Sequence, residues 1–166
     1  MEKVEDASEM AKRSCLEVGR RLMTLELGTY PTARHLARDV VRYGRSIDHF
    51  TMDRLNEEVS ISPVVKKIDL RLVTGVDLGI PFSGECLVGD FYDLAFSHGL
   101  ELCLSEIAPL LSLHANGLGP TWIVSGFDGV HFFVCKNEIR SIRRENISTM
   151  ILSLDSVHVF MSPQSE

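Results

Sequence analysis

The 166-residue sequence contains no apolar run near the roughly eighteen residues that a membrane-spanning helix needs. Its opening, Met1–Asp6, is polar and acidic, whereas a secretory leader starts basic and continues apolar. The four cysteines, Cys15, Cys86, Cys103 and Cys135, have no paired spacing. They therefore match neither a zinc motif nor the framework of a small disulfide-stapled domain. C-x-x-C and H-E-x-x-H are absent, no Gly-Lys-Ser/Thr follows a glycine run, and no G-x-G-x-x-G opens a helix. These absences lead to the expectation of a cytoplasmic chain with reduced thiols, no metal, no cofactor and no membrane association.

What is present describes a globular chain. Hydrophobic residues make up 45% and charged residues 24%, ordinary values for a folded domain. A chain this long buries about 70% of its unfolded surface and needs no metal or disulfide to close a core. One α+β domain spanning 1–166 is the expected organisation. Net charge is −6, and the acidity is uneven. Residues 1–60 carry 10 Lys/Arg against 11 Asp/Glu, residues 61–120 carry 3 against 7, and residues 121–166 carry 4 against 5. Global electrostatics thus work against non-specific attraction to nucleic acid or an anionic membrane.

The pattern of apolar residues predicts helices first. Ala7, Ala11, Cys15, Val18, Leu22 and Leu25 recur at steps of four and three, which places a helix over Asp6–Leu27 with Gly28 as its stop. Ala33, Leu36, Val40, Tyr43 and Ile47 line a second helix, completing an N-terminal helical hairpin. Met52, Leu55 and Val59 suggest a short third helix. From Lys66 the period changes to two, as in a strand with Ile68, Leu70 and Leu72 on one face. The middle segment is mixed. Glycines punctuate 75–89, Asp90 heads a helix to His98, Leu100, Leu102 and Leu104 alternate, and a helix with Pro109 in its first turn follows.

The C-terminal part reads as an antiparallel β-meander. Thr121–Phe127 and Val130–Lys136 flank Asp128-Gly129, a strong hairpin signal. Ile147–Leu154 and Val157–Met161 flank the weaker Asp155-Ser156, and Lys136–Glu145 reads as either a further strand or a loop.

One feature points to a partner. Arg34, Arg38, Arg42 and Arg45 are spaced 4, 4 and 3, which on a helix confines them to an arc of about 80°, opposite the apolar face. Such a row suits an acidic protein surface or a phosphate backbone, although no aromatic or polar base-reading residue accompanies it. The bland reading is a solvated face partly paired with Asp39 and Asp48.

Other constellations favour structure over chemistry. His131, Phe133 and Cys135 fall on one strand face, expected beside His158 and Phe160 on a neighbouring strand. The His131–Cys135 span of about 13 Å is too long for one metal. A nucleophile at Cys86 or Cys103, served by His98 or His114, would need an electropositive and accessible setting. The glycines of 75–89 and 117–119 read as turns, and Asp90 and Asp93 as acids at a helix N-terminus.

The favoured functional expectation is a small cytosolic protein-binding module without catalytic activity, such as a stoichiometric inhibitor, immunity-type protein, adaptor or regulatory subunit. Its partner is expected to be another protein, with a homo-oligomer also compatible. The binding surface would be the arginine face, an exposed edge of the meander, or an aromatic patch formed by Phe127, Phe133 and Phe160. The alternatives are a nucleic-acid-associated regulator using the arginine-lined helix, and an enzyme whose site is assembled from distant residues.

Overall fold

Two periodicities compete in Arg20–Leu27. Leu22 and Leu25 fit the helical steps, but Met23, Leu25 and Leu27 alternate equally well with Thr24 and Glu26. A computed structural model describes residues 18–80, 86–114, 121–126, 130–135, 137–142, 152 and 156–162. In it Arg20–Leu27 is strand β1, with Leu25 and Leu27 buried and Thr24 and Glu26 exposed. The described chain therefore begins with a strand, not with the first helix of the expected hairpin. Arg, Leu, Met and Glu favour helix intrinsically. Here that preference yields to pairing, because β2 (Lys66–Val73) supplies an antiparallel partner from Arg20 opposite Leu72 to Leu27 opposite Lys66. The rest of the expected helix, residues 6–17, lies outside the described residues.

The helical hairpin exists, but its members are the second and third expected helices. Helix α1 (Ala33–Arg42) starts where the Thr32 side chain accepts the His35 N–H. It stops at Gly44, whose φ of 81° turns the chain while the N–H groups of Gly44 and Arg45 reach the carbonyls of Val41 and Val40. Helix α2 (His49–Glu57) is capped by Asp48, which accepts the Thr51 N–H at 2.7 Å. After β2 come a 3₁₀ turn (Val76–Leu78), helix α3 (Val88–Ser97) and helix α4 (Ile107–His114).

Strands β3 (Trp122–Ser125), β4 (His131–Val134) and β5 (Ile139–Ile142) form an antiparallel meander. Its turn residues 127–129, and most of the expected strand at 147–154, lie outside the described residues. Strand β6 (Val157–Met161) does not continue the meander. It crosses the sheet to lie antiparallel to β2 and parallel to β3, giving the order β1-β2-β6-β3-β4-β5. The fold is mixed α+β, but the division into helices first and meander last is corrected at both ends.

Helices cover both sides of the sheet. On one side α1, α2 and α4 bury Leu36, Val40, Leu55 and Leu111 against Leu25, Leu70, Phe132 and Val159. On the other, α3 and the 3₁₀ turn pack Phe91, Ala95 and Leu78 against Val73, Ile123 and Phe160. Each fully buried Leu or Phe contributes about 1.5–3 kcal/mol relative to exposure. Where β6 and β3 separate at their C-terminal ends, residues 101–103 fill the gap. Glu101 and Met161 exchange backbone hydrogen bonds of 3.1 and 2.9 Å, and the Cys103 N–H donates to the Ser125 carbonyl at 2.9 Å.

Glu106 holds the loops against this frame. It is 1% exposed, and its carboxyl oxygens accept the Ser62 N–H at 2.8 Å and the Gly28 N–H at 3.2 Å. It thereby joins the end of β1 and the approach to β2 to the start of α4. Glu106→Gln turns an amide NH₂ toward one of these N–H donors and should cost about 1.5–3 kcal/mol; Glu106→Ala abandons both and should cost more. Urea denaturation checks both values and their order.

Candidate binding surface

Helix α1 buries Leu36, Ala37 and Val40, and this determines where its arginines point. Arg34, Arg38 and Arg42 are exposed on the opposite side, as their spacing predicts. Arg42 lies 3.7 Å from Asp39, which in turn accepts the Tyr30 hydroxyl at 2.7 Å. Burial and the bond to Asp39 push the Tyr30 pKa up to about 12, so this phenol stays neutral. Arg34 and Arg38 have no acidic partner among the described residues.

Arg45 does not belong to the row. The Gly44 turn takes it off the helix, and its Nε–H donates to the Ser112 carbonyl in the last turn of α4 at 2.8 Å. A guanidinium on an orphan helix carbonyl is a packing device. The fourth member of the expected stripe thus braces α4, because a spacing rule counted one turn past a glycine stop.

Large apolar side chains stay exposed on the same helical hairpin. Val41 is 49% exposed, Tyr43 62% and Phe50 46%. On the helical wheel Val41 lies beside Arg34, about 20° away on the side opposite Arg38. The Arg54 guanidinium lies 4.9 Å from the centre of the Phe50 ring and 2.6 Å from Glu58. The resulting surface mixes arginine with aromatic and aliphatic groups.

The other sequence candidates separate. His131 and Phe133 share the α3 side of the sheet with His158 and Phe160, but β3 stands between the two strands. Phe160 is fully buried and Phe133 half-buried, while Phe127 is outside the described residues, so no aromatic patch of the expected kind is visible. Among the described residues, no three His, Cys, Asp or Glu side chains gather as a metal would require. Cys103 is buried, its thiol pKa is pushed well up by desolvation, and it donates to the Val159 carbonyl; this is the setting of an inert thiol. Cys86 is half-buried beside Leu87. Gly75 and Gly79 bracket a tight turn in which Asp77 accepts the Thr74 N–H at 2.8 Å. Asp90 lies in the first turn of α3, where an acid offsets the helix dipole, and Gly89 is itself helical.

Two features escaped the sequence. The first is a polar cluster sealed between α3 and the sheet: the Tyr92 hydroxyl lies 2.5 Å from Ser125 Oγ and 3.3 Å from His158 Nδ1. His158 is 1% exposed, its ring lies 4.6 Å from the Phe91 ring and tilted by 50° to it, and its Nε2 has no hydrogen-bond partner among the described residues. Its alternation with Phe160 placed it on a strand face, but nothing marked Tyr92 as its neighbour. The second is the covering of the meander's outer edge. The Ile139 N–H donates to the Ser46 carbonyl at 3.3 Å and the Ser141 N–H to Thr51 Oγ1 at 2.8 Å. The α1–α2 hairpin thus occupies edge donors that strand addition would need.

No helix among the described residues is long and apolar enough to cross a membrane. No protein-family model, curated protein or solved structure matches the chain.

Burial lowers the His158 pKa from 6.5 to about 3. The unfolded chain takes up this proton near pH 6.5 and the folded chain only near pH 3. Between these values the unfolded state binds more protons, so stability falls as pH drops, by up to about 1.4 kcal/mol per unit from this group. His158→Phe should flatten that slope by one proton while leaving the dependence above pH 7 unchanged. Unfolding free energies measured along a pH series provide the comparison.

Proposed function

We propose that the chain is a cytosolic protein-binding module without catalytic activity, whose partner docks on the outer surface of the α1–α2 hairpin. The observation that carries this reading is the exposure of Val41, Tyr43 and Phe50 on the same two helices that present Arg34, Arg38 and Arg42. Arginine and aromatic residues dominate binding hot spots, and an apolar group among charges is what a protein interface desolvates. Phosphate-backbone tracking favours the arginines but gives Val41 and Phe50 no role, and the net charge of −6 opposes it. The polar cluster of Tyr92, Ser125 and His158 lies buried and out of reach of a substrate, which also favours binding over catalysis. An inhibitor, immunity-type protein, adaptor or regulatory subunit would each use such a surface.

Arg38→Glu/Arg42→Glu and Tyr43→Ala should each weaken capture of the partner from the source cell by about tenfold or more. Melting temperature should stay nearly unchanged, because all three side chains are exposed. Lys67→Glu, on the distant strand β2, should bind as wild type. Unaltered capture by the charge-reversed variant would sink the reading, and steeply salt-dependent binding to DNA or RNA would replace it with the nucleic-acid alternative.

A further inference from the structure

The two edges of the sheet are treated differently. At β5 the outward N–H groups of Ile139 and Ser141 are taken by Ser46 and Thr51. At β1 the outward groups can be identified from the pairing of β2. The Ser162 N–H donates to the Asp69 carbonyl, so the backbone of Asp69 points to β6 and, by alternation, that of Ile68 and Leu70 points to β1. Their partners Leu25 and Met23 are therefore bonded inward, and the N–H and C=O groups of Thr24 and Glu26 point out of the edge. Gly28 is next in this series, and Glu106 already accepts its N–H. Thr24 and Glu26 have no backbone partner beyond the edge among the described residues.

Beside this open stretch lies a groove of about 620 Å³, walled by Met23, Leu25, Tyr30, Tyr43, Leu110 and Leu113. Charge specifies what fits there. Strand β1 is basic at its start, with Arg20 and Arg21, and acidic near its end at Glu26. A bulge between Arg21 and Met23 places Arg21 opposite Arg71 and Thr24 opposite Asp69, so Arg21 stands two sheet positions before Thr24. Glu26 stands two positions after it. Arg21 and Thr24 share a face of the sheet, where both side chains reach Asp69.

We infer that the occupant of this edge is β1 of a second copy of the chain, paired antiparallel about a two-fold axis at Thr24. In that register the outward groups of the two Thr24 residues bond each other. Arg21 of each copy faces Glu26 of the other on one side of the sheet, and Met23 faces Leu25 on the other, where the two grooves meet. The Arg21–Glu26 pair and the Met23–Leu25 contact each form twice by symmetry. Charged residues and a bulge normally protect an edge from stray strands; here the same devices are complementary to themselves. The two six-stranded sheets become one continuous sheet, with both α1–α2 hairpins on the same side.

Sedimentation velocity across a concentration series tests this. Wild type should form a dimer, Arg21→Glu and Glu26→Arg should each weaken it by about tenfold or more, and the double exchange should restore it. Glu26→Pro removes an outward N–H and should give a folded monomer, whereas Leu25→Pro removes an inward one and should unfold the chain. A wild-type chain that stays monomeric at every concentration, or a dimer that survives Arg21→Glu, overturns the inference. A monomer that binds an extended peptide along β1 would also overturn it, by giving the edge a different occupant. Tyr43 borders both surfaces, but Arg38 and Arg42 do not line this groove, so partner capture by the charge-reversed variant is read independently of the dimer.

Discussion

Backbone pairing of β6 with β2 on one side and β3 on the other joins two antiparallel pieces that have no other strand contact among the described residues. Without it the chain holds a hairpin-like β1–β2 pair and a β3–β4–β5 meander, each with an exposed edge. A two-stranded ribbon is marginal in water. The residues of β6 serve both sides of the sheet: Val159 and Met161 belong to the core beneath α1 and α4, and Phe160 and His158 lie under α3. The aromatic contacts of α3 rest on these side chains, so the position of the helix depends on the strand. One short segment thus connects both pieces of the sheet and both helical layers.

Much of this was legible where a single periodicity operates. Helices α1, α2 and α4, strand β2 and the β3–β4 hairpin follow from apolar spacing and from Asp128-Gly129. Legibility failed where local and distant terms conflict. Arg20–Leu27 carries helix-forming residues and a pattern that satisfies both periods, and only the presence of Lys66–Val73 decides between them. The placement of β6 is a matter of topology: its sequence says strand, but not which neighbours it takes. The segment 101–103 alternates like a strand because it pairs at two residues, filling the space left by a diverging parallel pair.

The candidate surface was legible in three of its four arginines. Arg45 was misread because Tyr43-Gly44 ends the helix, although the glycine stop was visible in the sequence. The apolar members, Val41, Tyr43 and Phe50, could not be recognised as exposed from their identities; Tyr43 even fits the buried spacing of α1. The edges were hidden more deeply. Edge availability depends on where N–H groups point, which follows from strand register and from side-chain acceptors such as Thr51 and Glu106, both distant in sequence from the strands they cover.

Cys103 sits at the seam between the two pieces of the sheet, its N–H on the Ser125 carbonyl and its thiol on the Val159 carbonyl. With no exposed surface, it can meet a reagent only when residues 101–103 leave the gap between β3 and β6. The thiol is therefore a natural clock for that motion. If the seam opens alone, Cys103 is reached faster than the whole chain unfolds; if the joint yields only with the entire sheet, the two rates coincide. The molecule thus carries its own reporter on whether its two pieces behave as one cooperative body.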